Sequence, residues 1–282
     1  MIELAANRYG KSRVRLMKVT RTDGVHEVYD WTVEVLLRGE FTAAHVEGDN
    51  SRILPTDTMK NMVYSVARSS SATTMEEYAK ELTGVLLDGN AQVDSVTVGI
   101  RGALWKRISV DGRADPANFM RGSGEQQTTE VERSRDGRVQ VTSGLKDMVL
   151  LKTADSGFEG YIQDRWTTLK ETDDRLLGTA MRASWMYVTE AVTYAVAHRE
   201  IREAMIASFA RHRSRSVQQT LYAMAEAALG CCREIDEIEI AMPNRHYLLV
   251  DLTRFGQDNP NSIFVPTEEP HGYIEARVRR QV

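Results

Sequence analysis

Four places in the chain combine residue type and spacing in a way that could carry proton transfer or anion recognition: Lys11, Thr56-Asp57, Val217-Gln218, and Asn244 with His246. Ser216-Val-Gln-Gln219 has the form of a capping box, which puts Val217 and Gln218 on the first turn of a helix. Backbone N–H groups there have no intrahelical acceptor, so such a start attracts anions. By itself Gln218 also reads as a solvated first-turn residue. Asn244 and His246 lie two apart in a strand pattern, so both side chains are expected on one face. A histidine on a strand is otherwise more often structural. Thr56 alone reads as a helix cap and Asp57 as a first-turn acid that favours the helix dipole. Lys11 alone reads as an exposed charge at a strand edge. The remaining histidines, His26, His45, His198, His212 and His271, show no metal-site spacing, so no metal is expected. No flavin or haem fingerprint is present, and no cofactor is expected.

These residues need strands and helices to position them, and the hydrophobic pattern supplies both. Tyr29, Trp31, Val33, Val35 and Leu37 alternate with Asp30, Thr32 and Glu34, as in a strand with one wet face. Val96, Val98 and Ile100 repeat the pattern. Between them lie two helices. One follows Thr56-Asp57 through Met59, Val63 and Val66. The other opens at the capping box Thr74-Met-Glu-Glu77 and carries Met75, Tyr78, Leu82, Val85 and Leu86 on one face.

The second half is similar. Met148–Lys152 forms a short apolar strand and Leu176–Val188 an extended segment, with a long helix over about Glu190–Arg213. The helix opened at Ser216 turns Leu221, Met224, Ala225 and Ala228 inward and is expected to stop at Gly230. Ile238, Ile240 and Met242 then alternate with Glu237 and Glu239. Each half therefore runs strand, strand, helix, helix, strand, a repeat of architecture without repetition of letters. The division is expected at 1–144 and 145–282. Ile108–Gly144, rich in Gly, Arg, Asp and Ser, is expected to form a long exposed hairpin. The stretch after Pro260, rich in Pro and charge, is expected to wrap over the surface or across a partner.

Composition narrows the class. The 282 residues are 42% hydrophobic and 27% charged, ordinary for a folded soluble protein. A net charge of −4 argues against broad nucleic-acid binding, which wants a strong positive excess. No apolar run approaches the roughly 18 residues needed to cross a bilayer. The start lacks a signal-peptide core and the end, RVRRQV, lacks a peroxisomal address, so a cytoplasmic location is expected. The two cysteines, Cys231 and Cys232, are adjacent and cannot build a disulfide framework.

Five stretches carry a family likeness in order along the chain: Tyr9-Gly-Lys11 with Val14-Arg15; Asp49-Asn-Ser51 running into Thr56-Asp57; Thr142-Ser-Gly-Leu-Lys146 running into Lys152-Thr and Ser156-Gly-Phe-Glu-Gly160; Met242-Pro-Asn-Arg-His-Tyr247; and Asn261-Ser-Ile-Phe-Val-Pro266 running into Pro270-His-Gly-Tyr273. Together they resemble the urate oxidase (uricase) family, of a bacterial type because the peroxisomal tail is missing. The resemblance implies an α+β tunnelling fold (T-fold): two tandem repeats of antiparallel sheet with paired helices on one face, closed into a barrel by oligomerisation. It implies a homotetramer with sites at subunit interfaces, and oxidation of urate by O2 without a cofactor. Matched residue by residue, Phe158 would stack on urate while Arg175 and Gln218 clamp its edge. Val217 and the backbone at Asp57 would also contact it. Lys11, Thr56 and His246 would form a proton relay, with Thr56 also touching substrate, and Asn244 would help hold oxygen or water above the ring. Arginine suits its role because its fork of donors meets two acceptors at once. A lysine partly desolvated beside another donor can release its proton and activate a hydroxyl. Two rival readings are a zinc-dependent tunnelling-fold enzyme of pterins or purine nucleotides, and an inactive purine-binding protein.

Overall fold

The computed structural model describes residues 2–281. The chain divides into two compact units, Met1–Gly144 and Leu145–Val282.

In the first unit, β1 (Tyr9–Thr22), β2 (Val25–Gly39), β3 (Val93–Val110) and β4 (Arg113–Ser134) pair antiparallel in sequence order. Alternation on β2 and β3 buries Trp31, Val33, Val35 and Leu37 with Val96, Val98 and Ile100, as the pattern requires, but Asp30, expected on the wet face, is buried too, where Arg15 pairs with it at 2.7 Å. Three helices lie between β2 and β3: the five-residue α1 (Thr42–Val46), α2 (Thr56–Ser69) and α3 (Met75–Asp88). α3 begins with the expected capping box, Thr74 accepting from the Glu77 amide and Glu77 reaching back to the Thr74 amide. Val85, expected inward, is exposed, and Ala79 and Leu87 are buried instead. Thr56 is not the cap of α2. Pro55 holds that position without a side-chain hydrogen bond, and Thr56 is the first helical residue. The expected exposed hairpin is present only in part, since Glu125, Thr129 and Val131 within that stretch are buried. β3 and β4 turn at Asp111-Gly112, and the Ile108–Gly144 stretch holds all of β4 and the start of β5 (Val139–Lys152).

In the second unit β5 is followed by β6 (Leu177–Tyr187), α4 (Tyr194–Arg211), α5 (Val217–Cys231), β7 (Ile235–Leu249) and β8 (Phe264–Arg279). β7 pairs antiparallel with β6 and with β8. The apolar face of α5 is the expected one, Leu221, Met224, Ala225 and Ala228 all being buried. Gly230 does not end it. The helix runs on to Cys231, because Leu229 and Cys232 are drawn into the core on either side of the glycine. α4 is shorter than the pattern suggested at both ends.

The largest departure is the C-terminal stretch, which is strand β8 and not a surface wrap. Pro266 and Pro270 lack the N–H of a regular ladder, but β8 pairs across β7 from Phe264 opposite Leu249 to Arg279 opposite Glu237. Its charges face charges on β7: Arg277 meets Glu239 at 2.8 Å and Arg279 meets Glu237 at 2.6 Å. Charge density that argues against a core element is compatible with a strand whose outer face is wet.

Gly10 in β1 is set by close approach. A Cβ there would sit 1.8 Å from the Val35 carbonyl oxygen of β2. Gly10→Ala is expected to destabilise the protein by about 1–3 kcal/mol or more, the usual cost of forcing atoms into a packed interior. A lower urea midpoint would show this; an unchanged midpoint would mean that β1 does not lie against β2 as described.

Candidate functional site

The candidate residues fall into two groups, one in each unit. In the first unit Lys11 sits on β1 opposite Val35, just before a bulge that runs to Val14 and contains Arg13 at φ 60°. The bulge breaks the alternation, so period alone does not say where Lys11 points. Its neighbour Tyr9 ties this strand start to the chain before α2. The Tyr9 hydroxyl accepts from the Leu54 amide at 2.9 Å and donates to the Leu54 carbonyl at 3.2 Å. The Tyr9 ring also packs edge-on against Phe41 at 4.8 Å. Two residues beyond Leu54, Thr56 and Asp57 open α2. The Asp57 carboxyl is held below its ordinary pKa first by the hydrogen bond and charge of Lys60, then by Asn61 and the charge of Lys11. Lys11 and the first turn of α2 are thus within electrostatic reach of each other. Tyr9 was not singled out as a site residue, although it opens the Tyr9-Gly-Lys11 motif.

In the second unit the loop between β5 and β6 carries Phe158 and Arg175. Two backbone bridges fold it: Phe158 pairs antiparallel with Thr172, and Ser156 pairs parallel with Ser214, just ahead of α5. The Arg175 guanidinium lies 4.9 Å from the Phe158 ring centroid. Tyr161 stacks on Phe158 at 4.8 Å and 14°. Arg175 Nε is buried and finds no hydrogen-bond acceptor among the described residues. Burial pulls the Arg175 pKa below its ordinary value, with Tyr161 opposing. A partly desolvated guanidinium with an unused donor beside an aromatic face marks a candidate binding site.

At the start of α5, Ser216 is the N-cap as expected and accepts from the Gln219 amide at 3.1 Å. The box is shifted by one residue on its return, since Gln219 Oε1 accepts from the Arg215 amide at 2.9 Å. The first i→i−4 bond runs from the Thr220 amide to the Ser216 carbonyl. The amides of Val217 and Gln218 precede it and are the open donors of the helix start. The Val217 side chain is buried, so this residue offers its backbone; the Gln218 side chain is exposed.

A hollow of about 310 Å³ gathers Arg175, Asn244 and His246 with Thr153, Arg245 and Tyr247. Asn244 and His246 line it together although the ladder to β8 jumps between them, from Asn244 opposite Gly272 to His246 opposite Thr267. The pairing of β7 with β6 stays regular there, Gly178 opposite Arg245 and Thr179 opposite Asn244. The extra residues are looped out on β8. A second hollow, about 470 Å³, is lined by Phe158 with Asp173, Arg213, Ser214 and Arg215. Thr153, Arg245 and Tyr247 stand inside the motifs quoted above without a role assigned to them there, and Tyr161 directly follows one. Among the described residues, no group of three or more His, Cys, Asp or Glu is placed to hold a metal ion, and no helix is long and apolar enough to cross a membrane.

Known proteins resemble this chain over nearly its whole length. The family model described as Uricase matches residues 7–132 and 141–275. A uricase of Arthrobacter globiformis is 39% identical over 280 residues, spanning 99% of this chain and 91% of that protein. A uricase of Dictyostelium discoideum is 36% identical, spanning 99% and 98%. The crystal structure of uricase from Arthrobacter globiformis superposes with a TM-score of 0.94 at 38% identity, over 100% of this chain and 96% of that one. The match covers both units and the segments that carry Lys11, Thr56, Phe158, Arg175, Val217 and Asn244, within the expected α+β tunnelling fold. The chain belongs to the uricase family.

Proposed function

We propose that the protein oxidises urate with O2 and water to 5-hydroxyisourate and hydrogen peroxide, without a bound cofactor, in the cytoplasm. The observation that carries the reading is the Arg175–Phe158 pair, a guanidinium with an unused buried donor against an aromatic ring. It sits beside the open amides of the α5 start, in a chain matched to the uricase family almost from end to end.

Urate is a flat monoanion edged with oxygen and nitrogen. Phe158 offers the stacking face, and Arg175 and Gln218 meet the ring's edge in its plane. The amides of Val217 and Asp57 complete the donor set. Lys11 takes a proton through Thr56, with His246 as third member of the relay, and the fully deprotonated ring becomes electron-rich enough to reduce O2. Oxygen adds to the ring as a peroxide, and water then displaces hydrogen peroxide. Both electrons come from urate, so the protein's tasks are orientation and proton handling. Asn244, with Thr56, holds oxygen or water above the ring. The two halves act as repeats of one T-fold, and the working form is a homotetramer. In it, Lys11 and Thr56 of one subunit complete the site formed by Phe158, Arg175 and Gln218 of its neighbour.

Purified protein added to urate in air is expected to abolish the ultraviolet band of urate while peroxide accumulates. The rate is expected to be unchanged after treatment with a strong chelator. A rate that falls on metal removal and returns with one specific metal would overturn this mechanism.

A further inference from the structure

The structure assigns a positioning role to the Ser214–Thr220 hydroxyl pair: it sets the first turn of α5 at a fixed separation from Arg175. The inference rests on reading Arg175 and Gln218 as contacts to the edge of urate. Ser156, Ser214 and Thr220 are each 1% exposed or less, so no water competes for their bonds. The Arg175 amide donates to the Ser156 carbonyl at 2.7 Å. Ser156 lies in a parallel bridge with Ser214, closed by the Ser214 amide on the Asp155 carbonyl and the Gly157 amide on the Ser214 carbonyl, both 2.8 Å. From Ser214 the path continues through its side chain. Thr220 Oγ1 donates to Ser214 Oγ at 2.8 Å, and Ser214 Oγ donates to the Ser216 carbonyl at 3.1 Å. Arg175 is therefore joined to the turn that carries Val217 and Gln218 by an unbroken path of hydrogen bonds, none longer than 3.1 Å.

The backbone steps recur wherever two segments pair, but the hydroxyl step is particular. Thr220 stands one turn into α5, and its side chain reaches back to both the Ser216 carbonyl and Ser214. It fixes the angle at which the helix leaves the Ser214 segment. A rigid planar anion held at one edge by a guanidinium and at another by an amide tolerates little error in the distance between them. Displacements near 1 Å can cost about a hundredfold. Thr220 lines neither hollow, so any effect it has on urate passes through its neighbours.

Thr220→Val keeps the shape and removes the hydroxyl, and Ser214 keeps its bond to the Ser216 carbonyl. KM for urate is expected to rise about tenfold with kcat changed less than about threefold, while Thr220→Ser restores values near the parent. The decisive measurement is the cycle with Gln218→Ala. If Thr220 acts through the helix start, Thr220→Val adds little to KM once Gln218 is already truncated. An unchanged KM in Thr220→Val, or the same fold-rise with and without Gln218, would overturn the positioning role while leaving the site reading intact. A Gln218→Ala variant with unchanged KM would remove the site reading, and the positioning role with it. Should Thr220→Val fail to assemble, as judged by gel filtration, Thr220→Ala removes the same hydroxyl, leaves Ser214 and its bond to the Ser216 carbonyl in place, and carries the same expectations.

Discussion

Lys11→Met and Thr56→Ala each lower kcat for urate oxidation by about 10²–10⁴-fold, with a far smaller change in KM, because each removes a proton-transfer group and not a binding surface. The structure makes Thr56→Ala a clean test. Thr56 is the first residue of α2 but not its cap, so the substitution costs no capping bond. Alanine is also the better helix former, which leaves stability level or slightly higher. A fall in turnover with an unchanged melting temperature therefore reports chemistry. The Lys11 variant has a different safeguard. The fixed approach of Gly10 to Val35 and the two hydrogen bonds between Tyr9 and Leu54 hold this part of β1 without help from the ammonium. Near-full turnover in Lys11→Met would sink the relay.

Co-expression of Thr56→Ala and Arg175→Gln subunits restores clear activity although each variant alone is nearly inactive. Thr56 belongs to the first compact unit and Arg175 to the second. Under the proposed assembly, a site takes its threonine from one subunit and its arginine from the neighbour. A mixed pair then contains one site with both lesions and one with neither. Random pairing of equal amounts makes half the pairs mixed, and half the sites in those are intact, so about a quarter of the parent activity returns. Arg175→Gln by itself acts mainly on KM, since it removes a charged contact made in the ground state as well, so all activities are compared at urate far below that variant's KM, where it is nearly inactive. Mixing the variants after separate purification recovers much less, because an obligate interface exchanges slowly. If each site were built within one chain, every site would carry one lesion and co-expression would recover nothing. That result would refute the shared site and leave the family membership untouched.

Features whose physics is local are legible in the order of the residues. Alternation on β2 and β3 is a property of successive residues, and it is legible because one face of each strand is buried, Asp30 being the exception that a distant partner, Arg15, draws inward. The caps at Thr74 and Ser216 close over three residues, so their letters suffice. The motifs with Lys11, Thr56, Phe158, Asn244 and His246 were legible as a set, which is why the family could be named before any geometry.

Features decided by partners distant in sequence were not legible. β8 is a strand because β7 presents a ladder edge and complementary charges to it, and nothing within residues 264–279 announces that partner. α5 passes through Gly230 because the core claims the residues on both sides, overriding a local stop signal. Thr56 yields the cap position to Pro55, while Tyr9 reaches the preceding turn from 45 residues away. The clamp that joins Arg175, Phe158 and the start of α5 is likewise tertiary. Three segments meet through the Ser156–Ser214 bridge and one pair of buried hydroxyls. Period and propensity describe neighbours along the chain; hydrogen bonds between remote segments form only after the core has brought those segments together.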